Sequence, residues 1–139
     1  MRYFKKTLVS IAVFIALFAA SSVPANAQSE EPKVVNIGFV LYTKSRTPGT
    51  LTARWNYANR YFGPGLVTGG PDEGFAGNYH VRYFYENGKF SDEYDMKVKQ
   101  NGNFFDVTWL VNGVVKARGV GMLVEEGTAL AVGWRRVDD

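Results

Sequence analysis

From Phe75 to the C-terminus, apolar and polar positions alternate with a period of two. The alternation is cut by Asn87-Gly88, Asn101-Gly102, Asn112-Gly113 and Glu126-Gly127, at intervals of 11 to 14 residues. Period-two patterning is that of a strand with one buried face. Asn-Gly favours a type I′ turn, because both central residues need φ > 0 and the turn's twist matches that of paired strands. The pattern therefore predicts consecutive hairpins, an antiparallel meander.

Extended over the whole chain, the reading gives eight strands. The first is predicted near Val34–Thr43, with Val35, Ile37, Phe39 and Leu41 as its apolar face. The second is near Thr50–Tyr57, with Leu51, Ala53, Trp55 and Tyr57 opposite Thr50, Thr52, Arg54 and Asn56. A short third strand carries Phe62-Gly63-Pro64-Gly65-Leu66-Val67-Thr68, and Gly69–Gly74 forms a turn. Strands four to eight are predicted near Phe75–Tyr85, Asp92–Lys99, Asn103–Val111, Val114–Val124 and Ala129–Val137. Their inner sets include Tyr79, Val81 and Tyr83, then Tyr94, Met96 and Val98, then Phe105, Val107, Trp109 and Val111. Strand seven turns Val115, Ala117, Gly119, Gly121 and Leu123 inward, and strand eight Leu130, Val132 and Trp134.

Eight antiparallel strands with short connections and no helix signal give an all-β domain. Its apolar faces are hidden by closing into an up-and-down barrel or by folding into a two-layer sandwich. Hairpin-by-hairpin order favours the barrel, which also removes sheet edges that would pair with other chains. Glycines within the strands fit a strongly coiled sheet.

The first 27 residues stand apart. Arg2, Lys5 and Lys6 form a basic segment, Thr7–Ala20 is apolar, and Ala25-Asn26-Ala27 has the small-x-small form of a cleavage site. Leu8–Ala20 falls short of the roughly 20 residues a bilayer-spanning helix needs. The expectation is a signal peptide over 1–27, a polar arm over 28–33 and a barrel domain over 34–139. The product would be exported, periplasmic or secreted, in a bacterial cell, and not membrane-spanning after cleavage. With no Cys there is neither a lipid anchor nor a disulfide, so the core alone must hold the fold.

Charge follows from this division. Losing Arg2, Lys5 and Lys6 takes the 16 Lys and Arg down to 13, equal to the 13 Asp and Glu. A neutral domain lacks the cationic surplus that nucleic acid binding requires. Catalytic signals are poor too: there is no Cys, one His, and no serine in a nucleophile elbow. His80 is read as solvent-facing, opposite Tyr79 and Val81, with haem ligation as the sharper and less favoured role. Asp92, Glu93 and Asp95 read as a solvated hairpin end, without calcium-loop spacing. No catalytic residue, metal site or cofactor is assigned. Arg54, Arg82, Asp106 and Arg118 fall out of phase with the inner sets and read as outer-face pairs.

The aromatic residues carry the functional weight. Trp55, Tyr57, Tyr79, Tyr83, Trp109 and Trp134 fall on inner faces and are the candidate ligand-binding residues, with Tyr94 and Phe105 in the same set. An eight-stranded barrel is either packed solid or holds one small ligand. Trp and Tyr give apolar walls with polar handles.

Strand count, meander order and inward aromatics resemble the calycin class, the small eight-stranded barrels that include lipocalins and avidins. The resemblance is architectural and covers the mature chain. The lipocalin-type Gly-x-Trp of the first strand is absent; Ala53-Arg54-Trp55 stands instead on the second strand. No functional residue is carried over. Two partner readings remain open. One is a small apolar or aromatic ligand held in the barrel or at its mouth. The other is an envelope interaction or inhibitor module with a solid barrel, working through loops Lys44–Gly49, Ala58–Tyr61 and Gly69–Gly74.

Overall fold

Each strand of this protein pairs with its neighbours in sequence, and the last pairs with the first. The computed structural model describes residues 35–137; the expected signal peptide, the arm and Val34 lie outside the described residues. The strands are β1 Gly38–Lys44, β2 Leu51–Tyr57, β3 Tyr61–Thr68, β4 Gly77–Phe84, β5 Phe90–Asn101, β6 Phe104–Val111, β7 Val114–Val124 and β8 Ala129–Arg136. All pairings are antiparallel, and the ring closes through β1 and β8, from Gly38 opposite Trp134 to Thr43 opposite Ala129. The fold is a closed up-and-down barrel rather than a two-layer sandwich. Its architecture is consistent with the calycin-like expectation. Among the described residues, no helix is long and apolar enough to cross a membrane.

The turn signals mark the right connections but not always the expected turn. Asn112 and Gly113 both have positive φ, the type I′ pattern. At the β5–β6 hairpin, Asn101 instead ends β5 opposite Phe104, and Gly102 is the first central residue of the turn. Only Gly102 there has positive φ, at +62°, the pattern of a type II′ turn. The Asn87-Gly88 connection is longer: Gly88 donates to Tyr85 O, and only Gly88 has positive φ. Glu125, Glu126 and Gly127 all have positive φ in a single 3₁₀ turn between β7 and β8.

The interior is filled from alternate positions. Val40, Tyr42, Leu51, Ala53, Val67, Tyr79, Val81, Tyr83, Met96, Val98, Phe105, Val107, Trp109, Ala117, Leu130 and Val132 form one core, joined by Phe75. Three inner-face expectations are corrected. On β1 the inward residues are Val40 and Tyr42, whereas Phe39 is 59% exposed and Ile37 and Leu41 are exposed as well. Both faces of that segment are apolar, so alternation could not choose between them. Pairing with β8 does, setting Val40 opposite Val132 and Tyr42 opposite Leu130. Leu123 has the inward phase but lies beyond the last β6 pair, Phe105 opposite Gly121, and is exposed at the rim. A register shift after Trp109 buries Leu110 and leaves Val111 exposed.

The two ends of the barrel differ. At the end where β1 finishes, the β3–β4 connection folds back and buries Phe75 to 3% exposure. Tyr79 Oη donates to the Phe75 carbonyl at 2.7 Å, and the Lys44 ammonium lies 5.1 Å from the Phe75 ring centre. At the opposite end no such plug is built among the described residues. There large rings lie on bare backbone: Trp134 covers Gly38 and Tyr83 covers Gly65 so closely that a Cβ at either glycine would overlap the ring.

The β5–β6 turn is open to a direct check. Nothing lies within 4 Å of a side chain built at Gly102, so Gly102→Val costs only backbone strain. It should lower unfolding stability by roughly 1–3 kcal/mol, read from urea denaturation. An unchanged midpoint would contradict the turn assignment.

Candidate functional site

The unplugged end holds a cavity of about 300 Å³. Its inner wall comes from β1, β2, β4, β6, β7 and β8 through Val40, Trp55, Tyr83, Trp109, Ala117 and Trp134. Tyr57, Tyr61, Tyr85 and Tyr94 continue the aromatic lining toward the mouth. Tyr57 and Trp134 are stacked at 4.9 Å between ring centres, and Trp134 meets Trp109 at 6.0 Å. On the other side Trp55 meets Tyr83 edge-on at 6.0 Å, and Tyr83 meets Tyr94 at 6.2 Å. Such contacts orient the rings beyond what burial alone would do.

Hydrogen bonds fix the deeper rings. Tyr83 Oη accepts from Trp109 Nε1 at 2.9 Å and shares a 2.5 Å bond with Tyr42 Oη. Trp55 Nε1 donates to two carbonyls, of Pro64 and Phe84, each at 3.1 Å. Burial pushes the Tyr42 and Tyr83 hydroxyls above the ordinary tyrosine value. Both therefore stay protonated donors at physiological pH. Among the described residues no buried side-chain nitrogen or oxygen lacks a partner.

The mouth is polar, and two bulges make it so. β5 steps from Asp92 opposite Tyr83 to Phe90 opposite Phe84, leaving Ser91 unpaired. β7 steps from Ala117 opposite Trp109 to Val115 opposite Leu110, which makes Lys116 the extra residue of a bulge. A bulge re-aims side chains and often sits at a barrel rim. Here Ser91, Asp92, Lys116 and Arg136 all line the cavity. Tyr94 Oη donates to Asp92 Oδ2 in a short hydrogen bond. Burial, and then that bond to a carboxylate, raises the Tyr94 hydroxyl's pKa. The Arg136 guanidinium lies over the Tyr57 ring at 5.0 Å, a cation–π contact.

Of the six residues expected to bind a ligand, Trp55, Tyr57, Tyr83, Trp109 and Trp134 line this one cavity. Tyr79 does not: it sits at the plugged end, where burial raises its hydroxyl to about 12. Sequence reasoning missed the polar mouth. Asp92 follows Met96 and Tyr94 in inward phase, a signal that was available, but it was read with its acidic neighbours as solvated. Ser91 and Lys116 carry no such signal, because a bulge breaks the alternation that would place them.

The acidic run is in fact divided between the two faces. Glu93 and Asp95 face outward and hold His80, with Glu93 Oε2 at 2.7 Å from Nε2 and Asp95 Oδ1 at 3.4 Å from Nδ1. His80 is exposed, as expected, and stands outside the cavity. Arg54 pairs with Glu86, and Arg82 lies 3.9 Å from Glu93, both on the outer wall. A more open depression on that wall, between β5 and β8, is bordered by Lys97, Lys99, Arg118 and Arg135. Among the described residues, no group of three or more His, Asp or Glu is placed to hold a metal ion. Comparison with protein-family models, with curated proteins and with solved structures gave no match.

His80 supplies a pH test of the outer wall. The hydrogen bond to Glu93 is the main cause that raises its pKa above 6.5, with Asp95 adding to it. A raised folded-state pKa stabilises the protein below the unfolded value, and that contribution fades as pH rises through the folded pKa. Because the pair is exposed, the contribution is small. The single imidazole should titrate in NMR with a midpoint above 6.5, and Glu93→Gln should lower it. A wild-type midpoint at or below 6.5 would contradict the clamp.

Proposed function

We propose that this is an exported binding protein that holds one small apolar or aromatic molecule in the cup at the unplugged end of its barrel. The observation that carries the reading is the cavity of about 300 Å³ whose wall joins Trp55, Tyr57, Tyr83, Trp109 and Trp134. Pockets that bury small molecules run from roughly 300 to 1,000 Å³, with mostly apolar walls and a few placed polar groups. The cup has both, with its charged groups at the rim, where they stay hydrated, and uncharged rings below. Stacked rings suit a flat ligand, which gains contact over its whole face. The signal-like N-terminus supports export to the periplasm or the medium.

A second reading, an interaction module, draws on the outer wall. Phe39, Leu41, Val120 and Met122 are exposed there. Register brings them together, with Val120, Gly133 and Phe39 in one cross-strand row and Met122, Ala131 and Leu41 in the next. Contiguous exposed apolar surface is a feature of protein–protein contacts.

Native mass spectrometry of the protein purified gently from its host's envelope fraction separates the two. The cup reading predicts an added mass of a few hundred daltons, lost on denaturation. It also predicts that Trp134→Ala, which removes the ring stacked on Tyr57, abolishes the adduct. A bare chain with no small-molecule adduct would contradict it, and a protein adduct would favour the second reading.

A further inference from the structure

The proton count at the floor of the cup says what kind of ligand it fits, given that the cup binds a ligand at all. Three donors meet there: the Tyr42 hydroxyl, the Tyr83 hydroxyl and the Trp109 indole N–H. Trp109 Nε1 donates to Tyr83 Oη at 2.9 Å, and the two tyrosines share one proton's bond at 2.5 Å. Two bonds use two of the three protons. The Trp109 N–H also reaches Tyr42, but neither hydroxyl has an acceptor other than its partner tyrosine among the described residues. One O–H is therefore left over.

Burial decides which. Tyr42 is fully buried, while Tyr83 lines the cavity. Were Tyr83 the donor in the pair, the proton of Tyr42 would be sealed in the core without an acceptor, a costly arrangement. With Tyr42 as donor, Tyr83 Oη accepts from both Tyr42 and Trp109, and its own proton is free to turn toward the cavity. The two incoming donors also polarise the Tyr83 hydroxyl and strengthen it as a donor.

We infer that the cup selects a flat ring compound bearing a carbonyl oxygen, which enters oxygen-first and accepts a hydrogen bond from Tyr83 Oη. The ring lies between the Tyr57–Trp134 stack and the Trp55–Tyr83 side. A neutral carbonyl fits better than a carboxylate. Of the cavity's lining, the residues placed at the floor, Val40, Tyr83, Trp109 and Ala117, are uncharged, so a carboxylate among them would lose its water without an opposite charge beside it; the cations, Lys116 and Arg136, belong to the rim. Charged substituents on the ligand belong at the other end, beside Asp92 and Arg136.

Fluorenone and fluorene make a matched pair, the same flat three-ring frame with and without the carbonyl. Titrated into the full-length mature protein with tryptophan fluorescence as readout, fluorenone should bind roughly tenfold more tightly. The infrared carbonyl stretch of bound fluorenone should move to lower frequency than in an apolar solvent. Tyr83→Phe should erase the preference, so that the two compounds bind that variant equally, while Tyr42→Phe should keep it. Equal binding of the two compounds, or an unshifted carbonyl, would overturn the donor assignment while leaving the cup as a binding site. Binding of neither would overturn the cup itself. Should Tyr83→Phe fail to fold, the carbonyl frequency in the unaltered protein still decides.

Discussion

The hydroxyl of Tyr83 ties β4 to β1 through Tyr42 and to β6 through Trp109, and the rest of the interior is arranged around that junction. A barrel wall of eight strands encloses a space that side chains must either fill or leave as a pocket. On one side of the junction the filling is dense. Val67, Val81, Val107 and Leu130 are almost wholly buried, and Phe75 seals the end. On the other side every inward residue is a large ring or lies next to one. Rings stacked on each other and on glycine backbone cannot collapse into the space between them as aliphatic chains would. The hydrogen-bonded trio marks the boundary between the two regimes. With no disulfide available, it also links three strands that are not neighbours in the sheet.

On the proposed reading, the same junction connects stability to recognition. Removing the Tyr83 oxygen would leave the Trp109 N–H and the Tyr42 hydroxyl buried without an acceptor, each a costly state. On that reading, the group that braces the barrel is also the one that meets the ligand at the floor. The bulges at Ser91 and Lys116 complete the site at the rim. They add polar side chains, beside Asp92 and Arg136, to an end of the barrel whose walls are mostly aromatic. On the proposed reading, an aromatic body with polar groups at both floor and rim would discriminate among ligands by shape and by the position of their acceptors.

Much of this was legible in the sequence. Period-two alternation and the glycine turns give eight strands and their order, because both are local signals. The aromatic phase on β2, β4, β6 and β8 places Trp55, Tyr57, Tyr83, Trp109 and Trp134 inward together. What alternation alone could not give is phase where both faces are apolar, as for Phe39 and Val40 on β1. There cross-strand register decides, and register is a property of the closed sheet. Nor could it show which end of the barrel is open. Tyr79 looks like Tyr83 in sequence, yet the fold-back of Phe75 makes one a core residue and the other a cavity wall. The bulges that bring Ser91 and Lys116 to the cavity likewise break the alternation, so the pattern could not place those two residues.

The central claim is that, among the described residues, the space inside this barrel lies beyond Tyr83, at the end opposite Phe75. Xenon enters apolar cavities without needing a specific contact. Methyl NMR spectra recorded under xenon pressure test the claim directly. The account predicts xenon-dependent shifts at the methyls of Val40 and Ala117, which line the cup, with Val67, Val81 and Leu130 unmoved. Shifts centred on Val67, Val81 and Leu130, or none at all, would contradict it.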